Sequence, residues 1–185
     1  MPLPLYQRDP GLNYWFQYFS DSKTLYFKYN RCLDAQNLSF SAFAAKMLAF
    51  IDSTSIERFI VDLRNNSGGN SGLIQPLIDG LTTRALRGQI SLFTPFFVII
   101  GRETFSSGML NAIQLKQGNA VLAGEPSGGK PNGYGEVLSL LLPRTNLVVG
   151  YSTRFFQTSS VDTPSLMPDV TAALSSTQYF EGRDP

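Results

Sequence analysis

The stretch formed by residues 96–130 constrains the fold of this chain more than any other. Its apolar run at residues 97–100 is short enough for a buried strand and stops at a glycine. A polar elbow follows, and the next apolar side chains recur on one face of a helix that we expect to end at Gly118. A second apolar run, at residues 120–123, leads into a glycine-rich turn that ends in Lys130. The pattern therefore predicts a strand, an elbow, a helix and another strand in that order.

The beginning of the chain is dense in aromatic side chains. Residues 12–19 hold five of them, and residues 24–29 alternate well enough to pair with this segment in a hairpin. The simpler interpretation is a strand that packs on the core. The alternative is a surface that docks a neighbouring domain or a second copy of the chain.

The next segments predict two strand–helix units. Residues 59–63 read as a buried strand that runs into the turn Asn65-Asn66-Ser67-Gly68-Gly69. Two helices carry apolar side chains at helical spacing behind polar caps: residues 40–51 behind Ser39 or Ser41, and residues 73–81 behind Asn70 or Ser71.

The C-terminal part predicts a second hairpin. Residues 136–142 and 147–153 are β-like runs joined by a proline-containing turn, and a further short strand is expected at residues 90–93. Residues 155–185 have weak periodicity, and we expect them to wrap the surface. Strands alternating with crossover helices predict the α/β fold class.

Composition and charge exclude several classes of function. Hydrophobic residues make up 43% of the 185 residues and charged residues 16%, which is ample for a core. The net charge is +1 and the basic residues are scattered, which argues against nucleic-acid partners. No apolar segment approaches the ~18 residues that cross a bilayer, and we expect no membrane span. The start of the chain shows no signal-peptide pattern.

Two residue counts narrow the chemistry further. Cys32 is the single cysteine, so an internal disulfide and a multi-cysteine metal site are excluded. The chain contains no histidine, which removes the Ser-His-Asp triad, the Cys-His pair and every histidine-ligated metal. Acid–base chemistry near neutral pH must then use Lys, Tyr, Asp or Glu. We expect neither a metal nor a cofactor.

Three candidate site residues or pairs follow predicted strands at their carboxyl ends. They are Ser106 in the elbow, Lys130 in the glycine-rich turn, and the Gly68-Gly69 pair. Taken alone, the serine could be a helix cap, the lysine a solvated charge, and the glycines a structural turn. Because reactive groups gather at this edge of α/β sheets, their common position favours a site.

These residues fit acyl-transfer chemistry. A serine hydroxyl becomes a nucleophile when a neighbouring base removes its proton, and a lysine serves as that base only when it is neutral. The Ser107 amide at the helix start and an amide of Gly68 or Gly69 could stabilise the oxyanion.

One alternative assigns the lysine to phosphate binding. Residues 124–130 match the spacing G-x-x-x-x-G-K. A phosphate-binding loop also needs Ser or Thr after the lysine and a following helix, whereas Pro131 and a glycine-rich segment follow here. We therefore disfavour nucleotide binding.

Three motifs together resemble the S41 serine peptidases, the tail-specific or C-terminal processing proteases. Residues 62–69 (DLRNNSGG) look like the family's D-L-R-x-N-x-G-G turn, residues 104–107 (TFSS) like its nucleophile elbow, and residues 124–130 like its G-E-x-x-x-G-K segment. The segment after Lys130 resembles the branch without a PDZ domain, which is similar to the tricorn core and the retinoid-binding-protein repeats. The resemblance covers residues 23–170, the implied catalytic core. It leaves an aromatic extension at residues 1–22 and a tail at residues 171–185.

The resemblance implies a fold, a mechanism and a set of roles. It implies a ClpP/crotonase-like spiral of ββα units with a C-terminal β hairpin. Ser106 would be the nucleophile and Lys130 the general base, with Gly68, Gly69 and Ser107 forming the oxyanion hole. The family often has a glutamine four positions after the lysine; Tyr134 occupies that place and is the candidate orienting residue.

We carry three hypotheses of function from the sequence. The first is a serine peptidase that cleaves peptide or protein substrates through a Ser-Lys dyad. The second is a catalytically silent relative that binds peptides or hydrophobic ligands. The third is an acyl-thioester enzyme of the crotonase type. Family members are often exported in bacteria, so the resemblance is compatible with a periplasmic or secreted location, but no pattern in these residues shows export and the location stays unknown.

Overall fold

A computed structural model describes residues 3–88 and 95–184. The strands of these residues are β1 (Tyr14–Phe19), β2 (Thr24–Tyr29), β3 (Arg58–Asp62), β4 (Phe96–Ile100), β5 (Val121–Gly124), β6 (Gly133–Leu141), β7 (Val148–Phe156) and β8 (Val170–Thr171). The α-helices are α1 (Phe40–Ser53), α2 (Gln75–Leu86), α3 (Ser107–Gln117) and α4 (Ser176–Phe180). Single 3₁₀ turns lie at Leu5–Gln7 and Ser71–Ile74.

Six of these strands form one mostly parallel sheet in the order β1-β2-β3-β4-β5-β8. Only β1 runs antiparallel to its neighbour, and the other pairs are parallel. Helices α1, α2 and α3 each connect two consecutive parallel strands. The predicted α/β class is therefore confirmed, and the carboxyl ends of β3, β4 and β5 lie at one edge. The short strand expected at residues 90–93 lies outside the described residues.

The aromatic segment near the start of the chain belongs to the sheet. Strand β1 pairs with β2 through its whole length, which confirms the predicted hairpin. Its side chains pack on α1: the rings of Tyr14 and Phe43 are 4.7 Å apart, and those of Phe16 and Phe50 are 5.6 Å apart. These contacts agree with the simpler interpretation, in which this segment is a strand that packs on the core. The division of the chain at residues 22 and 170 stays a prediction.

Local capping explains where the first helix begins. Ser39 accepts a hydrogen bond from the Ala42 amide at the start of α1, so Ser39 and not Ser41 is the cap. Phe40, Phe43 and Met47 of this helix are buried against the sheet. Asn70 caps the 3₁₀ turn that precedes α2 in the same manner.

Strands β6 and β7 form a separate two-stranded ribbon, which confirms the predicted second hairpin. Neighbouring side chains of a strand point to opposite faces, and consecutive residues such as Leu140 and Leu141 are both exposed. The ribbon therefore presents apolar side chains on both faces. They belong to Tyr134, Val137, Leu138, Leu140, Leu141, Val148, Val149, Tyr151 and Phe155.

Two short elements, β8 and α4, lie in the last part of the described residues. Strand β8 extends the main sheet beside β5, and α4 is closed by a capping box between Ser175 and Gln178. None of the helices that the structure describes has an apolar stretch long enough to cross a bilayer.

Candidate active site

Ser106 occupies the sharp turn between β4 and α3. Its backbone has φ 49° and ψ −125°, a conformation that costs a non-glycine residue about 1–3 kcal/mol. It stands at the cap position of α3, yet its side chain makes no capping hydrogen bond, so the interpretation as a plain helix cap is wrong. The residue is exposed. A strained strand-to-helix turn that exposes a serine hydroxyl is the geometry of a nucleophile elbow.

The turn after β3 packs directly against this elbow. A Cβ atom placed on Gly68 would lie 2.8 Å from the Cβ of Ser106 and 3.2 Å from the Ser107 amide nitrogen. The Phe105 amide donates to the Asn66 carbonyl at 3.0 Å, and the Ser107 hydroxyl donates to the Gly69 carbonyl at 2.6 Å. The structure thus brings the glycine pair and the two serines together.

The amides of the two glycines differ in availability. The Gly68 amide donates to the Asn66 side chain at 3.0 Å and is therefore already satisfied. Within residues 3–88 and 95–184, the Gly69 amide has no hydrogen-bond acceptor. Gly69 is exposed, and the Ser107 amide lies in the first turn of α3, where amides lack helical partners. The Gly69 and Ser107 amides are the candidate oxyanion donors that remain.

The loop that carries Lys130 also lies along the elbow. The Gly128 amide donates to the Thr104 carbonyl at 3.0 Å, and a Cβ atom on Gly129 would lie 3.0 Å from the Phe105 ring. No helix follows the lysine, because β6 begins at Gly133. The helix that a phosphate-binding loop requires is missing at this place.

The amine of Lys130 is paired with a carboxylate. Its Nζ donates to Oδ2 of Asp162 at 2.9 Å, and 49% of the lysine side chain and 64% of the aspartate side chain are exposed. Among the described residues, no hydrogen bond joins Lys130 to Ser106. The two residues sit on neighbouring loops, but in the described residues the amine is hydrogen-bonded to Asp162 and not to the serine, as a base would be.

Tyr134 makes no orienting contact with the lysine in the described part of the chain. Its side chain is 76% exposed, and its ring packs on Phe155 with centroids 5.0 Å apart. The role given to it by the resemblance has no supporting contact, and Asp162 holds the amine instead.

A buried cluster of charged side chains lies at the end of β3, next to the turn that carries Gly68 and Gly69. Asp62, at the end of β3, is fully buried and accepts hydrogen bonds from the Tyr26 hydroxyl at 2.6 Å, Lys28 Nζ at 3.1 Å and Arg64 Nη2 at 2.7 Å. Lys28 is fully buried too and also donates to the Asn65 side chain at 2.8 Å. The cluster therefore fixes the first residues of the turn that carries Gly68 and Gly69.

The electrostatics of this cluster follow from burial and from close partners. Burial opposes the charge of the Asp62 carboxylate, but the attraction of Lys28 and Arg64 outweighs it and lowers its pKa to about 2. Burial lowers the pKa of Lys28, and Asp62 opposes that effect only in part. The Arg64 guanidinium loses hydration by burial, yet its bonds to Asp184 and Asp62 raise its pKa. The cluster is thus a buried, hydrogen-bonded set of ionisable side chains in which the Asp62 carboxylate is the common acceptor.

Sequence reasoning missed Lys28 and Asp162. Lys28 could have been found from the alternation of strand side chains, because it lies two positions after Tyr26 and therefore on the same face of β2. In the sheet it pairs with Asp62 of β3. No local signal marks Asp162, because its contact with Lys130 spans 32 positions. The described residues contain no group of three side chains that could hold a metal ion.

Comparisons with known proteins give structural but not sequence matches. No family model and no curated protein matches the chain. Among solved structures, mature CPAF in complex with lactacystin is 12% identical with a TM-score of 0.64, over 98% of this chain and 54% of that one. The photosystem II D1 C-terminal processing protease is 18% identical with a TM-score of 0.58, over 88% and 48%.

A third match comes from Bacteroides fragilis NCTC 9343 and carries the description of a proposed S41 protease. It is 15% identical with a TM-score of 0.58, over 91% of this chain and 51% of that one. The chain thus spans about half the length of these proteins. At such identities the likeness concerns architecture, and this chain has the fold of the S41 peptidases.

Proposed function

We propose that this chain is the catalytic core of an S41-type serine peptidase, a hydrolase of peptide or protein substrates. In this proposal Ser106 is the nucleophile, Lys130 is the general base, and the Gly69 and Ser107 amides stabilise the oxyanion. The fold would be the ClpP/crotonase-like spiral of ββα units. The mostly parallel sheet and the solved structures of similar architecture support a peptidase at the coarser level.

The observation that carries the proposal is the backbone conformation of Ser106. The backbone of Ser106 is strained by its positive φ, and its side chain makes no capping hydrogen bond that would offset this strain. Such strain is found mainly where function needs it. In this proposal the strained backbone directs the Ser106 hydroxyl towards a substrate carbonyl, and the Ser107 and Gly69 amides face the oxygen of the same carbonyl.

The chemistry has two balanced steps. In acylation, the Ser106 oxygen forms a bond to the carbonyl carbon while its proton passes to the amine of Lys130 and then to the leaving amine of the cleaved peptide bond. In deacylation, water attacks the ester, gives its proton to the same amine, and releases the carboxylic acid as serine recovers its proton. The oxyanion of each step is stabilised by backbone donors, and loss of a single oxyanion donor in a serine protease costs about 10²–10³ in rate.

Hydrolysis of a fluorogenic peptide library tests this proposal. The full chain should cleave part of the library, and Ser106→Ala should lose the activity while keeping the far-UV circular dichroism of the parent. The matched control is Ser20→Ala, which changes an exposed serine in the turn between β1 and β2. This variant should keep the activity. Equal cleavage by the parent and by Ser106→Ala would refute the role of Ser106.

A second candidate function is a catalytically silent peptide-binding relative. Its supporting observation is the ion pair between Lys130 and Asp162, which occupies the amine that the dyad needs. Binding of library peptides without any hydrolysis, over a pH range that extends to alkaline values, would favour this candidate.

A further inference from the structure

A segment late in the chain crosses the loop that carries Lys130. This segment, residues 158–166, is named the strap here. At its first end Thr158 donates through its amide to the Asn132 side chain at 2.9 Å and through its hydroxyl to the Pro131 carbonyl at 2.6 Å. At its other end Leu166 donates to the Ser127 hydroxyl at 2.9 Å and accepts from the Ser127 amide at 3.0 Å. Both anchors thus flank Lys130 along its own loop.

The anchors and the middle of the strap differ in burial. Ser127 and Asn132, on the loop side, are buried and form two hydrogen bonds or more with the strap. Asp162, between the anchors, is mostly exposed and meets the loop through the amine of Lys130. The ion pair can therefore break while the anchors keep the strap in place.

We infer that Asp162 is a latch that holds Lys130 away from Ser106 in the resting protein. In this arrangement the amine donates to the Asp162 carboxylate and is not available to accept the serine proton. Because the loop of Lys130 already lies along the elbow of Ser106, we expect loss of the latch to release the amine towards the serine without a rearrangement of the fold. A substrate that binds along the strap or the elbow would favour the open arrangement. This inference rests on the proposed function.

The exposure of the pair limits the strength of the latch. Ion pairs of this kind contribute little because water screens them, and loss of one changes an equilibrium by about 1.4- to 5-fold. The latch is therefore a weak restraint that substrate binding can overcome. Removal of the Asp162 charge should speed reactions of Ser106 by the same factor.

The test compares Asp162→Asn with a matched control. Glu57→Gln removes the carboxylate of another Lys–carboxylate pair, Lys23–Glu57, whose side chains have similar exposure at 47% and 56%. The first measurement is the rate at which a fluorophosphonate modifies Ser106 at neutral pH. We expect Asp162→Asn to react about 1.4- to 5-fold faster than the parent chain and Glu57→Gln to react at the parent rate.

A second measurement reports on the amine without any catalytic step. Acetylation by an N-hydroxysuccinimide ester, followed residue by residue with mass spectrometry, should become faster at Lys130 in Asp162→Asn and at Lys23 in Glu57→Gln. An unchanged rate at Lys130 would overturn the latch, because the amine would then not be held by Asp162.

The outcomes separate this inference from the proposed function. If the parent is modified at Ser106 and Asp162→Asn is modified at the same rate or more slowly, the latch is overturned and the peptidase proposal stands. If the parent is modified at Ser106 and Asp162→Asn is modified about 1.4- to 5-fold faster, both are supported. If neither protein is modified at Ser106, the proposed function fails and the latch fails with it.

Discussion

Replacement of Gly108 by alanine should destabilise the protein, although alanine is the better helix former. Gly108 lies in the first turn of α3, next to the elbow, and faces the turn after β3. A Cβ atom at this position would lie 2.4 Å from the carbonyl oxygen of Asn66 and 2.8 Å from its side-chain oxygen. The same carbonyl accepts the Phe105 amide, so the obstacle is a backbone group that is already held in place.

The expected magnitude is a balance of two terms. Alanine in place of glycine in a helix gains about 1 kcal/mol. An added methyl group in a well-packed site costs about 1–3 kcal/mol, and the upper part of this range applies because a backbone carbonyl cannot rotate away. We therefore expect Gly108→Ala to lower the free energy of unfolding by about 1–2 kcal/mol, which corresponds to a fall of about 2–8 °C in Tm for a chain of this size.

Denaturant and thermal unfolding of two variants measure this effect. Gly80→Ala is the matched control, since Gly80 also lies in a helix but its added Cβ would meet the flexible end of the Leu48 side chain. Its cost should be smaller than that of Gly108→Ala. Equal or greater stability of Gly108→Ala relative to the parent would refute the close packing of the elbow on the Asn66 turn.

Three further predictions concern the site and its support. Lys130→Ala should slow fluorophosphonate modification of Ser106 by about 10²-fold or more with little change in Tm, because general-base catalysis contributes about 10²–10⁴ and the lysine is half exposed; near-parent rates would remove lysine from the role of base. Gly69→Val should lose both stability and reactivity, since its φ is 130° and an added Cβ would lie 2.3 Å from the Cys32 carbonyl oxygen; a parent-like Tm would contradict this geometry. The Asp62 carboxyl should titrate near pH 2 in a carbon-detected NMR experiment, because its pKa is lowered in the folded state. Its contribution to stability, about 2 kcal/mol, is then complete above the unfolded value near 3.8 and disappears as the pH falls through 2; a midpoint near pH 4 would show that the buried cluster is not charged as described.

Much of the fold could be predicted because its signals are local. The start of α1 follows from Ser39 and from apolar side chains at helical spacing, and the strand and helix that flank Ser106 follow from the same two kinds of pattern. Helix α4 had a local signal in Ser175 and Gln178, which form a capping box. Strand β8 has none, because two residues cannot show a period and its pairing with β5 is a tertiary contact.

The candidate site was only partly predictable, because its charges are set by distant partners. The spacing of Ser106, Lys130 and the glycine pair places them on loops at one sheet edge, and the structure brings those loops together. Spacing does not tell which acidic side chain will reach the lysine, and Asp162 does so from a segment without periodicity. A lysine in a strand, such as Lys28, normally faces water, and here a buried carboxylate compensates its charge.

Covalent labelling shows whether Ser106 is a nucleophile held in a strained elbow. The full chain is treated with a fluorophosphonate at neutral and alkaline pH, and tandem mass spectrometry identifies the modified residue. We expect a single modification at Ser106 that is lost in Ser106→Ala. An unmodified Ser106 over the whole pH range, in a protein that keeps its folded spectrum, would contradict it.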